Sequence, residues 1–177
     1  MKTPNGLEIA QLADGSECTI ATVNLNLQVL EKLNESEYAC KIIGVVEVSP
    51  DDPQVAVKVA IDDPLGKEDC SPTLKDLDKF VQEMAKSKNQ DGKEVFKSVL
   101  NALLDLRKRL PPIYNLKAEN IMVDKATGQV LVMVTEEMFS KKSNCRDLEM
   151  SDLLYKSPEE LHGKGKSLTT PFWVLGC

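Results

Sequence analysis

The sequence predicts an α+β fold, in which a β-rich first part gives way to helices and then to a small hairpin and a long loop. Three observations carry this. Apolar residues alternate at period two as far as residue 61, helical spacing takes over from residue 73, and the strongest helical segment is stopped by a Pro-Pro pair. Strands followed by helices, without alternation of the two, argue against a doubly wound parallel sheet.

Residues 7 to 12 (LEIAQL) and 18 to 25 (CTIATVNL) read as strands joined by the turn Ala13-Asp14-Gly15-Ser16. Two more strands are expected at 28 to 33 (QVLEKL) and 39 to 48 (ACKIIGVVEV), closed by the turn signal Pro50-Asp51-Asp52-Pro53. In Val55-Ala56-Val57-Lys58-Val59-Ala60-Ile61 the valines face one way and Lys58 the other. From 73 to 87 (TLKDLDKFVQEMAKS), Leu74, Leu77, Val81 and Met84 stand at helical spacing with Thr73 as N-cap. After the polar break Lys88-Asn89-Gln90-Asp91-Gly92, a helix over 93 to 109 presents Phe96, Val99, Leu100, Leu103, Leu104 and Leu106 as an apolar stripe. Pro111-Pro112 ends it. Short strands follow at 121 to 123 and 130 to 134, linked by Asp124-Lys125-Ala126-Thr127-Gly128. Residues 135 to 156 are charged and irregular, and the sequence closes on the apolar Pro171-Phe172-Trp173-Val174-Leu175-Gly176-Cys177.

A length of 177 residues gives room for one ordinary domain or two small lobes sharing a core, and 42% hydrophobic with 28% charged residues fits a globular protein. The formal charge of −6 has the wrong sign for nucleic-acid binding. The one basic cluster, Arg107-Lys108-Arg109, sits at a helix end, where it complements the helix dipole. No apolar stretch reaches the roughly 18 to 20 residues of a membrane helix, and the opening MKTPNGLEIAQLADGSE lacks an apolar signal core. A cytoplasmic or nuclear protein, neither secreted nor membrane-bound, is therefore expected. Cys18, Cys40, Cys70, Cys145 and Cys177 are odd in number and scattered, without a CxxC pair, which fits a reducing compartment and no structural zinc. His162 is the only histidine and no GxSxG accompanies it, so a surface position near a turn is expected for it. Asn34-Glu35-Ser36 matches a glycosylation sequon by chance, given the missing signal core.

Five segments, in order, are similar to motifs of one family. Leu30-Glu31-Lys32-Leu33-Asn34-Glu35-Ser36-Glu37-Tyr38-Ala39 resembles a glycine-rich loop, and Val55-Ala56-Val57-Lys58 the VAIK strand. Asn115-Leu116-Lys117-Ala118-Glu119-Asn120, with Ile121-Met122-Val123-Asp124 after it, resembles the catalytic loop HRDLKPEN and its strand. Ser157-Pro158-Glu159, preceded by Leu153-Leu154-Tyr155, resembles APE, and Trp173-Val174-Leu175-Gly176-Cys177 the helix start DVWSLGC. From about residue 27 onward the chain thus resembles a degenerate, truncated eukaryotic protein kinase. The resemblance implies an N-terminal extension, expected as a β-hairpin, over 1–26 and a kinase-like domain over 27–177. The latter divides into a β-rich first lobe (27–88) and an incomplete helical second lobe (89–177).

In that family catalysis is mostly positioning and charge neutralisation, so each part can be weighed separately. The resemblance places Asn34, Ser36 and Ala39 at the glycine positions of the phosphate loop, where side chains would crowd the phosphates. An upstream alternative, Leu12-Ala13-Asp14-Gly15-Ser16, keeps one glycine but lies far from Lys58. Lys58 stands at the position of the phosphate-contacting lysine, with Glu83 as its implied helix partner. Asn115 replaces the catalytic aspartate, and a carboxamide takes no proton at neutral pH. Ile113-Tyr114 stands where His-Arg would be. Lys117 and Asn120 persist, the latter at a magnesium-ligand position, although its side chain could equally bond the loop backbone. Val134-Thr135-Glu136 replaces DFG, and valine offers a metal no oxygen. Only 57 positions separate Lys58 from Asn115, enough for two helices but not for two further strands and the adenine-binding hinge; alternatively residues 77 to 86 are a hinge remnant.

The resemblance therefore implies a pseudokinase: not an enzyme, without catalytic residues, metal or required cofactor, acting by protein binding or scaffolding on a kinase or a kinase substrate. Lys58, Lys117 and Asn120 would be the vestige of an ATP site. One alternative is a weak or conditional serine/threonine-type kinase that uses those three residues with ATP and magnesium. A non-functional fragment of a longer kinase is the other.

Overall fold

Gly15 adopts φ +87°, a conformation that residues with a Cβ rarely take, and so closes the first hairpin. Leu12 N donates to Ser16 O at 2.7 Å across the turn, and Asp14 Oδ1 accepts from Ser16 N at 2.9 Å. The computed structural model describes residues 8–66, 74–87, 92–141 and 156–176. β1 (Glu8–Gln11) and β2 (Glu17–Asn26) flank this turn, as the alternation predicts. β3 (Ile42–Val48) and β4 (Val55–Ile61) complete an antiparallel sheet of order β1-β2-β4-β3. The first hairpin is not peripheral, because β2 is a central strand and sends Ala21, Val23 and Leu25 into the main core. The opposite face holds only a small cluster of Cys18, Ile20 and Ala60.

Residues 28 to 33, expected as a strand, form helix α1 (Leu27–Asn34) instead. Asn26 caps it, its Oδ1 accepting from Gln28 N at 2.8 Å. Leu27, Leu30 and Leu33 recur every three residues, a spacing that gathers all three on one helical face but would split Leu30 from Leu33 on a strand. Leu30 and Leu33 are buried, and truncating either to alanine would cost about 2–5 kcal/mol. That packing overrides a run short enough to fit both periods. The segment after α1 then pairs with the far side of the fold: Val132 N donates to Tyr38 O (2.7 Å) and Cys40 N to Val132 O (3.0 Å).

The helix expected from residue 73 starts later. Leu74–Asp76 is strand β5, and α2 spans Leu77–Ser87. Asp76 does the capping, accepting from Lys79 N at 2.8 Å, whereas Thr73 lies outside the described residues. Val81, placed on the apolar face by spacing, is 55% exposed, and α2 buries Phe80 (4% exposed) in its place. α3 (Gly92–Arg109) agrees with its predicted span, but its buried side is Val95, Val99, Ala102, Leu103 and Leu106. Phe96 and Leu104, placed in the stripe by spacing, are exposed. β6 (Ile121–Asp124) and β7 (Val130–Val132) follow as predicted and join β5 in a second antiparallel sheet, order β5-β6-β7. Ser157 forms a capping box with Glu160 on the one-turn helix α4 (Pro158–Leu161). The apolar close of the sequence is α5 (Thr170–Gly176), whose Phe172 and Leu175 pack on the main core. Arg107 lies over the Phe172 ring at 5.3 Å. Leu153-Leu154-Tyr155, Cys70, Cys145 and Cys177 lie outside the described residues.

The fold is therefore mixed α+β, with both sheets and α1, α2 and α3 contributing to one main core. Among the described residues no helix is long and apolar enough to cross a membrane.

Candidate functional site

The loop between α3 and β6 is anchored by apolar side chains and by a neighbouring turn. Ile113 and Leu116 are buried, which fixes the backbone on either side of Tyr114 and Asn115. Both Tyr114 N (2.8 Å) and Asn115 N (3.1 Å) donate to Met138 O, in the 3₁₀ turn Glu136–Phe139 that follows β7. Lys141 Nζ lies 4.9 Å from the centre of the Tyr114 ring. Asn115 itself is half-buried. Its carboxamide can donate and accept hydrogen bonds, but it cannot act as a base.

Lys117 and Asn120 end this loop. Lys117 Nζ pairs with Glu137 Oε2 at 2.6 Å and with Glu119 Oε1 at 3.7 Å, so two carboxylates neutralise it. Asn120 is buried in a 3₁₀ turn, where its N donates to Lys117 O (3.1 Å) and its O accepts from Met133 N (2.8 Å). Directly after β7, Met133 and Val134 are buried apolar residues. Thr135 Oγ1 is buried with no hydrogen-bond partner among the described residues. Glu136 and Glu137 are exposed, and Glu137 is engaged by Lys117. Among the described residues no group of three or more His, Cys, Asp or Glu is arranged to hold a metal ion.

Lys58 does not join Lys117 and Asn120. It sits opposite Thr22 on β4 and pairs with Glu47 at 3.2 Å. Its neighbour Val59 points into the main core, so Lys58 lies on the outer face, away from the core that β6 and β7 enter. The implied Lys58–Glu83 pair is not formed. Glu83 instead bridges Lys75 and Lys125, whose hydrogen bonds, Lys125's first, hold its carboxyl down at about 2. Lys125 also lies 5.8 Å from the centre of the Phe80 ring. The geometry thus ties α2 to the turn between β6 and β7.

Of the three expected glycine-loop positions, Ser36 and Ala39 are buried, while Asn34 is exposed and held by hydrogen bonds. Asn34 ends α1 and bonds Ile42 through its side-chain amide. Ser36 is fully buried, and its Oγ donates to Asp105 Oδ2 at 2.7 Å. Ala39 is buried in a parallel bridge with Val132. A helix with its packed exit replaces the strand-turn-strand that a phosphate loop needs. The upstream Leu12-Ala13-Asp14-Gly15-Ser16 is the hairpin turn of β1 and β2.

Two charged sites went unread in the sequence. Asp105, held by Arg109 Nε at 2.9 Å, was legible as an i,i+4 pair on α3, but its contact with Ser36 had no local signal. Lys166 is the other: burial pushes its ammonium pKa down, against an opposing pull from Glu160 and with Lys117 near enough to add to the lowering. His162 is exposed beside the turn after α4, its Nδ1 2.6 Å from Pro158 O. Cys18 and Cys40 are free and buried, and burial raises both thiols, so neither is a poised nucleophile. No protein-family model and no curated protein matches the chain.

Proposed function

We propose that the protein is a non-catalytic, protein-kinase-like molecule that acts by binding another protein, of which a kinase or a kinase substrate is the expected class. One observation carries the reading. Where phosphoryl transfer needs a base and a metal-binding carboxylate, this chain has Asn115 and the buried Val134. Lys117, the lysine of that loop, is already paired with Glu137 and Glu119.

The order of elements supports a changed register within the same family. In kinases the lysine strand precedes a helix whose glutamate pairs with that lysine. Here β2 precedes α1, and β3, β4, the segment after Ile61, α2, α3 and the Asn115 loop come next. On this reading β2 is the counterpart of the lysine strand and α1 of the paired helix. β3 and β4 are then the two strands that counting from Lys58 left missing. β2, with the sequence ECTIATVNLN, contains no lysine or arginine, and the one carboxylate of α1 is the exposed Glu31. The lysine–glutamate pair thus has neither member, and Lys58 belongs to no nucleotide site.

Thermal unfolding with saturating ATP and magnesium tests the proposal, because a ligand that binds only the folded state raises the midpoint by mass action. No shift is expected, together with no label transferred from ATP to a generic protein substrate. A magnesium-dependent rise accompanied by transfer would support the conditional-kinase alternative and overturn this one.

A further inference from the structure

We propose that the exposed face of α3 is the docking surface for an acidic amphipathic helix of a partner protein. The inference rests on the binding reading above for one expectation only, that a protein is bound. The surface and the chemistry of the partner come from α3 itself.

α3 has two apolar sides. Val95, Val99, Ala102, Leu103 and Leu106 turn towards the main core. Phe96, Leu100 and Leu104 recur every four residues on the adjoining side and so stand in one row. Phe96 and Leu104 are 46% and 45% exposed, and Leu100 is half-buried between them. The row is about 12 Å long, a little over two turns of helix. Just beyond it Arg107 lies over the Phe172 ring, so α5 borders its end.

The charges along this row have one sign. Lys93 lies three residues before Phe96, Lys97 three before Leu100, and Lys108 four after Leu104, so each apolar residue has an exposed lysine as a helical neighbour. The acids of α3, Glu94 and Asp105, stand on the flank away from the row, and Asp105 is held by Arg109 and Ser36. Among the described residues no ion pair engages Lys93, Lys97 or Lys108. The helix dipole accounts for Lys108 in the last turn, but it opposes Lys93 in the first.

Charge and shape together select the occupant. A helix with apolar residues along one side and Asp or Glu beside them would cover the row and pair with the lysines, which would repel a basic one. An anionic bilayer offers the same charge, but it would also meet the rest of a chain of net charge −6, whereas a single helix touches this face alone.

Fluorescence anisotropy reads this, with the full chain and a labelled synthetic helix of about 18 residues that carries leucines along one side and glutamates beside them. Saturable binding is expected, weakening as salt is raised, and absent for the same peptide with lysines in place of the glutamates. Phe96→Ala should weaken binding by at least about tenfold, and Lys97→Glu by at least about fivefold. Both residues are exposed, so the urea midpoint should hold in each variant. Lys58→Glu, the same change of charge on the sheet, should leave binding unchanged. No binding of the acidic peptide or equal binding of the lysine peptide overturns the proposal. So does full affinity in either α3 variant that keeps the parent's urea midpoint. Binding to phosphatidylserine vesicles that Lys97→Glu abolishes would assign the face to a membrane and overturn it as well. These failures leave the non-catalytic reading standing, which falls instead to the magnesium-dependent rise with ATP and the label transfer described above.

Discussion

Ser36 and Asp105, 69 positions apart, meet in a 2.7 Å hydrogen bond that fastens the exit of α1 to the middle of α3. The same carboxylate accepts from Arg109 Nε at 2.9 Å, and Arg109 also reaches Lys32 O (3.2 Å) and Glu35 Oε2 (3.3 Å). One acid on α3 thereby organises the whole turn after α1. Ser36 is fully buried, so Ser36→Ala leaves Asp105 one donor short without opening a route for water. We expect a loss of about 1–3 kcal/mol in urea denaturation. A variant as stable as the parent would mean that Leu30 and Leu33 alone hold the turn.

Acid stability should report two carboxylates. Arg109 foremost, then Ser36, hold Asp105 below its ordinary 3.8, and Lys125 and Lys75 take Glu83 from 4.5 to about 2. Both folded-state values lie below the unfolded ones. Their contribution is therefore complete above the unfolded values and is lost as pH falls towards the folded values. Glu83→Gln should flatten the fall in melting temperature between pH 4.5 and about 2. Added salt should shrink the difference, since Glu83 is 40% exposed. An unchanged slope in Glu83→Gln would show that the bridge to Lys75 and Lys125 carries no stability.

Where sequence patterns succeeded, one physical signal dominated. The β1–β2 hairpin was legible because Gly15 and Asp14 fix a turn between two alternating runs, and α3 because eighteen residues of helical spacing end at Pro111. α1 was misread because QVLEKL is too short for period alone to decide, although Asn26 offered the cap that settles it. The start of α2 was misread because Leu74 fits the helical spacing yet pairs with Asp124 across to β6. Such long-range pairing has no trace in a local window. The candidate site shows the same limit. The chemistry of Asn115 and Val134 could be read from residue type and the facing of Lys58 from the alternation of its strand, whereas its pairing with Glu47 in place of Glu83 depends on the register of β3 against β4.

Lys58→Met is a sharp test of that register. An exposed pair such as Lys58–Glu47 is worth at most about 1 kcal/mol, so stability should barely change. The response of the melting temperature to ATP and magnesium should be identical in variant and parent. A nucleotide-dependent rise present in the parent and absent from Lys58→Met would put this lysine in a phosphate site after all.

Restoring the two carboxylates should have opposite consequences, which separates a lost active site from one that is merely dormant. Asn115 is half-buried in a loop whose backbone is held by Met138 O, and Asn115→Asp keeps its shape. It should change stability by less than about 1 kcal/mol. Val134 is 3% exposed within the main core, so Val134→Asp would bury a carboxylate among apolar side chains. That should cost about 3 kcal/mol or more, read as a fall in the urea midpoint, and magnesium should not recover it. Recovery of the Val134→Asp variant by magnesium, in the single or the double substitution, would mean that a divalent ion can still be seated beside β7, and the metal part of the site would then be dormant and not lost.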